Sequence, residues 1–87
     1  MAQLNREQMI ELLENNNVEV IGTSEGFDGA ENGIWISGEG DDYRINYWTE
    51  NYEDFTFGVH NELNTLAEEN GWFFEWHDAG TLMCWPQ

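Results

Sequence analysis

The sequence predicts an α+β fold: a small single domain in the order α-β-β-β-α-β-β, with a largely antiparallel five-stranded sheet and two helices on one face. Three observations carry that prediction. Residues 72–85, WFFEWHDAGTLMCW, read as two strands about a turn. Two segments, one entered near Asn5 and one after Thr49, repeat apolar residues at helical spacing. Between them lie short β-branched and aromatic runs bounded by glycine, asparagine and acids. The 87 residues form one domain, 1–87. A chain this short buries only roughly 60–65% of its unfolded surface, so its 15% aromatic content matters for stability.

Leu4-Asn5-Arg6-Glu7-Gln8-Met9 reads as a helix start. Asn5 caps, Gln8 reaches back as in a capping box, and Leu4 staples onto Met9. Met9, Ile10, Leu12 and Leu13 form the apolar stripe, and Asn15-Asn16-Asn17 ends the helix. Val18 to Thr23 reads as a strand and Ser24 to Gly33 as a loop. Ile34 to Ser37 and Tyr43 to Trp48 read as a hairpin with Glu39-Gly40 at its tip. That register places Ile36 beside Tyr43, Ile34 beside Ile45, and Trp35 beside Arg44 as a cation–π pair.

Thr49 to Asp54 is an acidic connector into a second helix, in which Phe55, Val59, Leu63 and Leu66 recur and Asn70-Gly71 is the stop. Gly58 weakens the first turn of that reading. The final hairpin turns at Asp78-Ala79-Gly80, with Gly80 left-handed and His77 facing Thr81. Trp76 then faces Leu82 and Phe74 faces Cys84. Trp72, Phe74, Trp76, Leu82 and Cys84 form an apolar face to be buried, and Phe73, Glu75, His77, Thr81, Met83 and Trp85 a mixed one.

The charge balance is extreme: 18 Asp and Glu against two arginines and no lysine, a formal net charge of −16. Phosphate contact needs Lys and Arg, so direct nucleic-acid binding is disfavoured, and anionic membranes are repelled. A basic protein surface is the expected partner, of the kind found on nucleic-acid-binding proteins and enzymes. The expected carriers are Glu7, Glu11 and Glu14 on the first helix, Glu25, Asp28 and Glu31 in the loop, and Glu39, Asp41 and Asp42 at the tip. Neighbours in the first row lie about 6 Å apart and repel by roughly 0.7 kcal/mol in water.

No run approaches the roughly 18 apolar residues of a membrane span. The N-terminus lacks a basic start and an apolar signal segment, and one cysteine allows no internal disulfide, so a reducing, cytoplasmic compartment is expected.

No catalytic or cofactor motif stands out, and the expectation is a protein that is not an enzyme. Cys84 with His60 or His77 and Asp78 has the residue types of a thiol enzyme, but its register points the thiol into the core. Glu25, Asp28 and Glu31 lack calcium-loop spacing, and His77, Asp78 and Glu75 match no zinc pattern, so no metal is expected. Trp35, Trp48, Phe73 and Trp85 could share an open sheet face, suited to a stacked ligand or a second copy of the chain. The main alternatives are therefore ligand binding on that face and an acidic surface adapted to high salt.

Overall fold

The computed structural model describes residues 3–28, 31–38 and 40–87; the side chains of Phe27 and Asp28 also fall outside that description. The elements are α1 (Arg6–Asn15), β1 (Val20–Thr23), α2 (Ser24–Asp28), β2 (Ile34–Ser37), β3 (Phe55–Thr56), β4 (Val59–His60), α3 (Asn61–Glu69), β5 (Trp72–Asp78) and β6 (Thr81–Pro86). An antiparallel four-stranded sheet has the order β1-β2-β6-β5, and β3 and β4 form a separate hairpin. The α+β class holds. The five-stranded sheet is corrected to four strands plus a hairpin, and the two helices to three, because Ser24–Asp28, expected as part of a loop, forms the short helix α2.

α1 starts as its first residues dictate. The Asn5 side chain accepts from Gln8 N (2.9 Å) and the Gln8 side chain accepts from Asn5 N (3.0 Å), closing the capping box. Asn17, at φ 65°, takes the left-handed position after the helix. Met9 and Leu13 are fully buried.

Two expectations are overturned in the middle of the chain. Tyr43 to Trp48 does not pair with β2. Asp42 Oδ1 accepts from Arg44 N (3.0 Å) and Ile45 N donates to Asp42 O (3.1 Å), which closes a turn there. Asn46 Oδ1 repeats the motif with Trp48 N (3.1 Å). Only Ile45 keeps a bridge, to Val59. β2 instead pairs with β6, setting Ile34 against Cys84 and Ile36 against Leu82. All four side chains are fully buried, whereas Tyr43 stays 71% exposed. That difference in buried apolar area decides the pairing. Trp35 consequently faces Met83 and Gly22, not Arg44.

Phe55 and Val59 are likewise not helical. Phe57 (φ 51°) and Gly58 (φ 78°) are both left-handed, as a two-residue turn between twisted strands requires, and β3 pairs with β4 across them. The helix begins only at Asn61, capped by His60, whose Nδ1 accepts from Glu62 N (3.1 Å). Leu63 and Ala67 are its buried residues, and Gly71 (φ 80°) follows its end.

In the β5–β6 hairpin, Trp76 faces Leu82 and Phe74 faces Cys84, as expected. The turn differs. A bulge lies between Trp76 and Asp78, Asp78 rather than His77 faces Thr81, and Asp78 Oδ1 accepts from Gly80 N (2.9 Å). Among the described residues the left-handed glycines are Gly58 and Gly71, not Gly80. Met9 and Leu13 of α1 and Leu63 and Ala67 of α3 join the core-facing Ile34, Ile36, Trp72, Leu82 and Cys84 in one apolar cluster, with both helices on that face. On the other face Met83 is buried beside the partly buried Trp35 and Trp85, and Phe73 is partly exposed. Trp48 is not in the sheet; its ring meets Tyr47 edge-on at 4.9 Å.

Candidate interaction surface

The capping box fixes where α1 starts and therefore which side its acids face. Met9 and Leu13 point inward, so Glu7, Glu11 and Glu14 fall on the solvent side, and all three are exposed. Glu31 and Asp41 are exposed as well. Glu39 and the Asp28 carboxylate lie outside the described residues.

Glu25 and Asp42 are placed differently: each is held by an arginine. Arg6 Nη1 lies 2.6 Å from Glu25 Oε1 and also donates to Gly33 O (3.3 Å), joining α1 to α2 and the start of β2. Glu25 Oε2 accepts from Asn32 N (3.2 Å). Backbone N–H groups, its own first and then that of Asn32, together with Arg6, bring the Glu25 carboxyl down to about 2.

Arg44 is the second anchor. Its Nε and Nη2 grip both oxygens of Asp42 (2.8 and 2.7 Å), and Nη2 also donates to Asn16 O (2.8 Å) beyond the end of α1. Nη1 lies 3.5 Å from Glu62 in the first turn of α3. Burial pushes the Asp42 carboxyl up, and the hydrogen bonds from the Arg44 side chain and backbone more than reverse this, leaving it below the usual range. The Arg44 side chain is 12% exposed and that of Asp42 17%. A depression of ≈ 570 Å³ opens beside this pair, with Glu19, Asp41 and Glu62 in its walls.

Both arginines in the sequence are thus engaged internally. The segment 43–57 adds a feature the sequence reading missed: Tyr43, Trp48, Tyr52 and Phe57 are exposed, Phe57 by 90%. The available signal was a concentration of aromatics in a stretch too rich in Asn, Asp and Glu to form a central strand.

The thiol of Cys84 is fully buried and burial pushes it up to about 12, so it is no nucleophile at neutral pH. Among the described residues no group of three or more His, Cys, Asp or Glu is placed to hold a metal ion, and no helix is long and apolar enough to cross a membrane. The fold and surface together define the class: a small α+β domain with an uncompensated acidic exterior and exposed aromatics. No family model, curated protein or solved structure matches the chain.

Proposed function

We propose that this protein is an interaction module that occupies a basic, nucleic-acid-binding surface of a partner protein, in the manner of an inhibitor that imitates nucleic acid. The observation that carries this reading is the exposed Glu7, Glu11 and Glu14 row on a chain whose only two arginines already hold Glu25 and Asp42. Along α1 these charges recur about every 5 Å, against about 3.4 Å for the phosphates of one DNA strand. The row is therefore closer to a single strand's charge density than to a duplex. Glu31 and Asp41 extend the negative field, and the exposed Tyr43, Trp48 and Tyr52 are of the residue types that anchor interfaces.

The test is affinity capture at low salt, with elution by rising salt and, separately, by duplex or single-stranded DNA. The reading expects a basic nucleic-acid-binding protein that DNA displaces, and capture that falls at least about tenfold when Glu7, Glu11 and Glu14 are changed to Gln. Capture of no such protein, or capture that neither DNA nor the triple change affects, refutes it.

A further inference from the structure

β5 ends the four-stranded sheet, so one of its edges has no strand partner among the described residues. The register identifies the backbone groups on that edge. Gln87 N donates to Gly71 O (2.9 Å), which makes Gly71, and by alternation Phe73 and Glu75, the residues hydrogen-bonded to β6. The far side of the sheet keeps the same parity. Ser37 N donates to Glu19 O on the β1 side, leaving Ile34 and Ile36 to bond Cys84 and Leu82 of β6. Phe74 therefore turns its N–H and C=O away from β6, and Trp76 follows at the start of the bulge.

A groove of ≈ 690 Å³ runs beside this edge, lined by Thr65 and Glu68 of α3, Phe57 of the β3–β4 turn, and Phe74, Glu75 and Trp76 of β5. Phe57 is unusual there. A bulky residue in the left-handed region is disfavoured, and Asn or Gly serves the same turn at lower cost. Yet this Phe holds φ 51° and leaves its ring in solvent. The Trp76 indole donates to its carbonyl and keeps the turn seated against β5. Glu68 and Glu75 give the walls negative charge and no cation lines the groove. A second copy, bringing another −16 and its own Glu75, fits this edge poorly.

We propose that the free edge of β5 and the groove beside α3 dock an extended segment of a partner protein, alternating apolar residues with lysine or arginine, as an added strand. The Phe74 and Trp76 backbone groups would pair with it, Phe57 would cover its apolar side chains, and Glu68 and Glu75 would take its cations. Trp72 O already accepts from Gln87 Nε2 (3.2 Å), so the groups left to pair run from Phe74 to Trp76, about 7 Å of strand. The inference goes beyond the proposed function, because none of the α1 carboxylates lines this groove.

The experiment is an amide NMR titration of the full chain with a capped heptapeptide alternating valine and lysine. A second arm uses the same peptide N-methylated at alternate residues. Saturable shifts centred on Phe74, Trp76 and Thr65 are expected. N-methylation, Thr65→Trp and Phe57→Asn should each weaken binding at least about tenfold. Phe57→Asn should fold no less stably than the parent, because Asn accepts the left-handed turn. Failure to saturate overturns the proposal. So does equal binding of the N-methylated peptide with shifts confined to Glu7, Glu11 and Glu14, an outcome that removes the groove and leaves the proposed function standing. Shifts at Phe74 that grow with protein concentration before any peptide is added assign the edge to a second copy and also overturn it.

Discussion

Gly33 lies under the indole of Trp85, where a Cβ would strike the ring and crowd Ser24. Gly33 precedes Ile34 of β2, and Trp85 sits in the central strand β6, so the ring covers backbone that carries no side chain of its own. Gly33→Ala should therefore force Trp85 from its seat and lower stability by about 1–3 kcal/mol in urea unfolding. Gly26→Ala, with nothing within contact distance, should change little. Glu25 supplies a second residue-scale expectation. Its carboxyl is brought from the ordinary 4.5 down to about 2 by backbone N–H groups and Arg6. Its contribution is thus fully present above about pH 4.5 and is lost as pH falls toward 2. The amide of Asn32, which donates to Glu25, should follow pH by NMR with a midpoint near 2. A midpoint near 4.5 would show that the link does not form in solution.

At the scale of elements, Arg44 fastens three pieces that sheet pairing leaves loose: the residues after α1, the turn at Asp42, and the first turn of α3. Its removal leaves Asp42 nearly buried without a cation and Asn16 O without this donor. Arg44→Met, which keeps the length of the stem, is expected to cost about 2 kcal/mol, read by thermal or urea unfolding. A loss under about 0.5 kcal/mol would mean that the Asp42 turn holds itself. The elements also show what local sequence could reveal. Asn5 and Gln8 predicted the α1 cap because both partners lie within one turn. Trp76 opposite Leu82 was predictable because a short turn constrains the register. Tyr43 to Trp48 was misread because two side-chain-closed turns, at Asp42 and Asn46, compete with alternation over the same residues. Phe55 and Val59 fit a helical period and a hairpin equally well until Phe57 and Gly58 take left-handed geometry.

Over the whole molecule, an apolar cluster centred on Trp72, Ile34, Ile36, Leu63 and Leu82 opposes the self-repulsion of a −16 chain. Screening acts over about 10 Å at 0.1 M salt, so added NaCl should relieve that repulsion and raise the melting temperature. The domain should still be folded in dilute buffer. Unfolding there would instead favour the reading of a surface adapted to high salt.

The acidity, the aromatic hairpin, the α+β class and the solvent-facing row on α1 were written in the amino-acid order, because each follows from composition or from neighbours within a turn or two. The pairing of β2 with β6, the engagement of Glu25 and Asp42 by arginines, and the free edge of β5 beside Phe57 were decided only in three dimensions. Those features depend on which distant segments bury the most apolar surface together, and local periodicity does not encode that comparison.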